Sequence, residues 1–296
     1  MKNPPAGQGS DYMEIINRKQ RMASIARKLR RENKTVGFVP TMGALHEGHI
    51  ALVKEARAMS DVVIVSIFVN PTQFGENEDF DKYPRDLTGD TAKLAEFGVD
   101  YVFAPEKGEI YPHGFSTYVY VEGISEGLEG ASRPGHFRGV ATVVTILLNT
   151  IRPDFAFFGQ KDAQQVAVIK RLTIDLGFET EVVVVPTVRE ETGLALSSRN
   201  AYLSADERKR AAVISRGLRE AKAAFREGER NASRLAQIVE NTIRSEELAK
   251  IDYVSVVDRD SLEPVDKIED SETLIAVAVR FGKVRLIDNV VLNRKQ

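Results

Sequence analysis

Two histidines open the chemistry of this chain. His46 and His49 stand three residues apart in Pro40-Thr41-Met42-Gly43-Ala44-Leu45-His46-Glu47-Gly48-His49, where a short β-branched and aromatic run gives way to helical spacing at Ile50, Leu52, Val53, Ala56 and Met59. A helix start leaves backbone N–H groups unpaired and partly positive, so a glycine-lined turn there suits an anion, most often phosphate. Each imidazole can donate to a phosphate oxygen, and one can act as general acid. A pair of structural histidines is the plainer reading of the two residues taken alone. Zinc is disfavoured, because the spacing is not that of a His-Glu-x-x-His site and the chain has no cysteine.

Other donors fall at further turns. Lys161 follows a buried run, Phe155-Ala156-Phe157-Phe158, at the turn Gly159-Gln160-Lys161-Asp162; it offers a point charge to phosphate and can offset charge developing on phosphorus. Asp162 either orients that lysine or caps the next helix. Gln165, one turn on, and Gln73, in Asn70-Pro71-Thr72-Gln73-Phe74, are amides suited to a hydroxylated small carboxylate. Ser197, Ser198 and Arg199 make a compact donor cluster able to close on a triphosphate from the opposite side. There is neither a Walker lysine loop nor Gly-x-Gly-x-x-Gly. The set points to cleavage between α- and β-phosphates, giving an adenylate and pyrophosphate.

The elements that must hold these residues read as α/β. An amphipathic helix carrying Ile15, Ile16, Met22, Ile25 and Leu29 is predicted first, then the strand ending at Pro40 and the helix to Met59. Val62 to Val69 lacks alternation, as expected of a strand covered on both faces. A helix near Thr88 to Phe97 and a strand at Val99 to Phe103 complete a parallel, right-handed unit, and further strands are expected at Thr117 to Val121, Phe155 to Phe158 and Val182 to Val185. The stretch 130–139 is too polar and glycine-rich to be core, and it precedes a helix carrying Val140, Val143, Val144, Leu147, Leu148 and Ile151. In such sheets ligands sit beyond the carboxyl ends of the strands, so the histidines and Gln73 should share a crevice.

After Pro186 the texture changes. Ser204 with Glu207 is a capping box opening one long helix to about Phe225, and Asn231 caps another. Strands at Tyr253 to Val257, Thr273 to Val279 and Val284 to Leu292 follow, the last two joined near Gly282. The expected division is a polar, disordered leader over 1–12, a parallel-sheet domain over 13–187, and a smaller α+β domain over 188–296.

Length and composition set the outer bounds. A chain of 296 residues has room for two domains, and its net charge of −2 argues against a broad nucleic-acid surface or a polybasic membrane anchor. No apolar run approaches the ~20 residues needed to cross a bilayer. The lack of cysteine fits a reducing, cytoplasmic setting.

Taken jointly, the stretches Pro40 to His49, Phe68-Val69-Asn70-Pro71-Thr72-Gln73-Phe74, Arg133-Pro134-Gly135-His136-Phe137, Phe158-Gly159-Gln160-Lys161-Asp162 with Gln165, and Leu196-Ser197-Ser198-Arg199-Asn200 resemble the pantothenate synthetase family, in that order. The resemblance implies a Rossmann-like domain with a smaller lid, ATP and Mg²⁺, a homodimer, and condensation of pantoate with β-alanine through pantoyl adenylate. It assigns ATP to Met42, Gly43, Ala44, Leu45, His46, Glu47, Gly48, His49, Gly159, Gln160, Lys161, Asp162, Val188, Leu196, Ser197, Ser198 and Arg199. His49 takes the proton-donor place, while Gln73 and Gln165 hold pantoate, Gln73 also lying near β-alanine. Asp81, Asp86 and Asp90 are unranked candidates for touching Mg²⁺. The rival readings are a nucleotidyltransferase that keeps the adenylyl group in its product, which calls for further basic residues, and a non-catalytic module, which would have lost these donors.

Overall fold

The computed structural model describes residues 13–76, 78–269 and 271–293; the leader expected to be disordered lies outside them. The first lobe runs β1 (Glu14–Ile16), α1 (Lys19–Arg31), β2 (Val36–Thr41), α2 (Glu47–Met59), β3 (Val62–Ile67), α3 (Leu87–Ala95), β4 (Tyr101–Phe103), α4 (Lys107–Ile110), α5 (Glu129–Ser132), α6 (His136–Ile151), β5 (Phe155–Gly159), α7 (Ala163–Asp175) and β6 (Glu181–Val185). Its strands form one parallel sheet in the order β1-β4-β3-β2-β5-β6. The chain builds outward from β2 to β3 and β4, then returns to lay β5 on the other side of β2. That reversal opens a crevice beyond the strand ends of β2 and β5.

Both faces are covered, which explains the unbroken apolar run of β3. Val62 and Ile64 join the core formed with Phe38, Leu148 and Ile169, whereas Val63 and Val65 join Val39, Val53 and Phe157 on the opposite face. The β-branched α6 is helical, as its period predicts, because its apolar stripe is buried against the sheet.

Several expectations need correction. Ile15 and Ile16 belong to β1, paired with Val102 and Phe103, so the basic helix starts only at Lys19; burial of Ile16 in the sheet core outweighs its fit to a helical stripe. Residues 117–121 form no strand, and Val119 instead gives its N–H to Thr142 Oγ1 at 3.0 Å. The stretch 130–139, expected outside the core, ends the helical turn Glu129–Ser132 and starts α6 at His136, and it places Phe137 in the core.

The second lobe contains α8 (Ala205–Arg210), α9 (Val213–Arg226), α10 (Ala232–Arg244), β7 (Ala249–Asp258), β8 (Thr273–Phe281) and β9 (Val284–Leu292). The three strands form an antiparallel sheet on which α9 and α10 bury Leu218, Phe225, Leu235 and Val239. The single long helix expected after Ser204 is two helices. At Ala212 and Ile214 the backbone bonds tighten to the i−3 carbonyl, turning α9 so that Ile214 and Leu218 face this core.

A buried ion pair ties the lobes together. Glu129 of α5, 7% exposed, accepts two bonds from Arg285 of β9 at 2.6 and 2.7 Å and one from Tyr253 Oη of β7 at 3.0 Å. Removing the guanidinium would strand a desolvated carboxylate. Arg285→Met is expected to cost about 3–5 kcal/mol of stability in denaturant titration, and Glu129→Leu in the same chain to restore most of it; an Arg285→Met single variant as stable as the parent would contradict this.

Candidate active site

The crevice holds a cavity of about 240 Å³ whose wall includes residues from every stretch singled out in the sequence. Met42, His46, Gly48 and His49 come from the turn after β2, Gln73 from the turn after β3, and Gly159, Lys161, Asp162 and Gln165 from the end of β5 and the start of α7. Val188, Leu196, Ser197, Ser198 and Arg199 close it from the second lobe's side. It adjoins a wider cleft between the lobes of about 1160 Å³, with Arg133, Lys161, Asp162, Ser197 and Arg199 in both walls.

The histidine turn is built differently from the anion cradle expected of it. Asp90 of α3, 3% exposed, points its carboxylate into the turn and accepts Ala44 N–H at 2.9 Å and Leu45 N–H at 2.8 Å. Gly43 N–H goes to Thr41 Oγ1, His46 N–H to His49 Nδ1, and Gly48 N–H to His46 Nδ1. The protein supplies its own anion, and these donors are spent. Asp90 and Asp86, which caps α3 at Gly89 N–H, are thus engaged structurally, while Asp81 is exposed. Leu45 is buried in the core, Glu47 is exposed, and Gln160 turns its amide to Asn289 of β9 at 2.9 Å.

The same bonds fix the imidazoles. Because Nδ1 accepts in both His46 and His49, each neutral ring carries its proton on Nε2. Burial, then Lys161, lowers the pKa of His46, and burial, then His46, brings His49 down to about 3. The rings lie 4.1 Å apart, and the His46 ring rests against Gly48, where a Cβ would stand 2.8 Å from Cε1. Glycine is required between them.

Every cation at the site has a carboxylate. Lys161 Nζ lies 2.9 Å from Asp162, Arg199 lies 2.9 Å from Asp79, and Arg133 holds Glu78 through two bonds at 2.6 and 2.7 Å. Burial opposes ionisation of Asp162, yet Lys161 outweighs it and keeps the carboxyl below its usual range. Asp162 orients the lysine and makes no cap bond to α7.

Sequence reasoning missed several contributors. Asn70 bridges Gln73 Oε1 and Gly139 carbonyl oxygen, both at 3.1 Å, and its place before Pro71 was the available signal. Val140, Val143, Val144 and Leu147 of α6 line the cavity although their spacing reads only as helix core. Arg133 and His136 are also in the wall.

A parallel sheet with its donors at the strand-order reversal, roofed by a second lobe, defines a Rossmann-like protein with a polar cleft between two lobes. The family is narrower: the family model described as pantoate-beta-alanine ligase matches residues 14–291, and the chain belongs to that family of ligases. It is 52% identical to pantothenate synthetase of Pelotomaculum thermopropionicum over 95% of this chain and 100% of that one. It is 56% identical to that of Heliobacterium modesticaldum over 95% and 99% of the two chains. The Thermus thermophilus pantothenate synthetase structure superposes with a TM-score of 0.88 at 45% identity, covering 94% of this chain and 99% of that one. The Francisella tularensis pantoate-beta-alanine ligase, described as complexed with β-γ ATP and β-alanine, gives 0.77 at 40% identity, covering 95% and 98%.

The buried imidazoles give stability a pH dependence. His49 falls from 6.5 to about 3, and His136 from 6.5 to about 4 through burial and then Arg133. Below the unfolded value the unfolded chain binds more protons, so this contribution is complete above about pH 6.5 and is lost as pH falls towards 4 and 3. The urea midpoint is expected to drop between pH 7 and 4.5, less steeply in His49→Gln; equal slopes in the two proteins would contradict the assignment.

Proposed function

We propose that this chain condenses pantoate with β-alanine in two steps. A pantoate carboxylate oxygen attacks the α-phosphorus of ATP, the bond to the bridging oxygen breaks, and pyrophosphate leaves. The amine of β-alanine then attacks the acyl carbon of pantoyl adenylate, AMP departs, and the nitrogen loses its proton. The observation that carries this reading is the meeting of two Nε2–H imidazoles, Lys161 and Arg199 with two amides in one cavity.

Each group has a part that follows from its chemistry. His46 and His49 donate through Nε2 to phosphate oxygens, and Lys161 and Arg199 offset charge growing on the transferred and leaving groups. Ser197 and Ser198 add hydroxyl donors beside the arginine. Gln73 and Gln165 hydrogen-bond the pantoate hydroxyls and carboxylate, while Val140, Val143 and Val144 give its paired methyl groups an apolar wall. Holding carboxylate and phosphorus in line lowers the barrier further, and the second lobe keeps water from the acyl phosphate.

Mg²⁺ enters with ATP as part of the substrate. No group of three His, Cys, Asp or Glu among the described residues is arranged to hold a metal, so the triphosphate itself would supply much of the ion's oxygen shell. The lobe division near Val188, which the change of texture after Pro186 supports, the cytoplasmic setting, which the lack of cysteine supports, and the homodimer, which the family resemblance implies, belong to the same proposal. No helix among the described residues is long and apolar enough to cross a membrane.

The test is isotope exchange between pyrophosphate and ATP with pantoate present and β-alanine absent. Exchange is expected, and its absence at every pantoate level would overturn the adenylate route. Lys161→Ala and His49→Ala should each lower turnover by about 10²-fold or more with the fold intact; near-parent rates would remove those roles.

A further inference from the structure

Arg133-Pro134-Gly135-His136-Phe137 is the one stretch of the family resemblance to which no chemistry has fallen. We infer that His136 and Arg133 are the positioning residues for Gln73, fixing the amide that seats the acyl substrate without acting on the reacting atoms. This inference rests on the reading of Gln73 as a pantoate ligand.

Gln73 sits where the backbone has little hold on itself. It ends a single 3-10 turn, Pro71–Gln73, whose bonds from Gln73 N–H to Asn70 and from Phe74 N–H to Pro71 are both 3.4 Å. Its carbonyl takes its donors from α6 and the residues before it: His136 Nδ1 at 2.8 Å and Arg133 Nη2 at 3.4 Å.

The proton on His136 is fixed by its other neighbour. Arg133 Nη1 lies 3.1 Å from Nε2, and a guanidinium can only donate, so Nε2 accepts and Nδ1 carries the hydrogen given to Gln73. His46 and His49 hold the opposite tautomer. Burial and Arg133 keep the ring neutral, with a pKa of about 4. Arg133 is anchored in turn by its paired bonds to Glu78, in the loop that leaves Gln73.

The contact allows little slack. A Cβ on Gly139 would stand 2.3 Å from Thr72 carbonyl oxygen, so α6 lies directly on the turn. Asn70 Nδ2 donates to Gln73 Oε1 at 3.1 Å and Gln73 Nε2 donates to Met42 Sδ at 2.9 Å. With backbone and amide both held, one N–H and one lone pair of Gln73 remain for the ligand.

The experiment pairs kinetics with NMR. Asparagine places an amide N–H near the position of imidazole Nδ1–H, whereas leucine places none. His136→Leu is expected to raise KM for pantoate by about tenfold with KM for ATP within about twofold, and His136→Asn to recover pantoate KM to within about threefold of the parent. Unchanged pantoate KM in His136→Leu, equal rises for both substrates, or failure of His136→Asn to recover would overturn the inference. Should His136→Leu not fold, imidazole nitrogen shifts of the parent decide: with 4 histidines in the chain, His136 should be the neutral Nδ1–H form at pH 7, and an Nε2–H or charged ring there overturns the inference. A parent protein that turns over no pantoate would instead sink the reading of function, since the NMR result does not depend on it.

Discussion

The site depends on a buried carboxylate that is spent on the protein's own backbone. Asp90 fills the mouth of the turn between β2 and α2, taking the N–H groups of Ala44 and Leu45, while Lys93 from the same helix donates to Leu45 carbonyl oxygen at 2.9 Å. Ala44 has φ +52°, a left-handed conformation that an alanine rarely adopts unaided. The two bonds from Asp90 hold it there. Once the turn is fixed, His46 caps α2, His49 reaches back to the cap, and both Nε2–H groups are left to meet a ligand. The turn's N–H groups, which could attract a mobile anion, have been given a permanent one, while the helix start just beyond is capped by the imidazoles themselves.

Charge at the site is balanced before any ligand arrives. Lys161 with Asp162, Arg199 with Asp79 and Arg133 with Glu78 are each paired, and the imidazoles are neutral. An incoming polyphosphate therefore exchanges partners with groups already oriented, and cations in a partly dry cleft are never left bare, which would be costly. That exchange limits the net affinity an anion can gain, and it makes the cations present without reorganisation when charge shifts. The proton on each Nε2 is likewise in place beforehand.

How much of this was legible in the sequence depends on whether the cause is local. The strand, turn and helix that carry the histidines and the two-sided burial of β3 follow from neighbours in the chain, so spacing and residue type foretold them. Ile15 and Ile16 went astray because their strand exists only through β4, distant in sequence. The break at Ala211 and Ala212 carries neither proline nor glycine, and only the packing of α9 on the second core reveals it. Asp90 was weighed as a metal ligand, since nothing nearby in the chain tells a carboxylate that its partners are backbone amides far upstream. Val140, Val143 and Val144 read as helix core and do bury against the sheet, but one end of that face opens on the cavity.

The two halves of the substrate problem share one segment of chain. At one end Gln73 is held by His136 and Asn70; Glu78, further along, is held by Arg133; Asp79 beside it holds Arg199 of the second lobe. The amide proposed to seat pantoate and the carboxylate that holds the second lobe's arginine are thus anchored by successive bonds of a single loop. Any anion that approaches Arg199 meets a guanidinium already oriented by Asp79, with further N–H groups to offer, whereas Gln73 stays pinned by contacts on the first lobe alone. In the proposed reaction the geometry at Gln73 is in that way insulated from changes at the polyphosphate, as is needed when one bound molecule must stay aligned while its partner loses a leaving group.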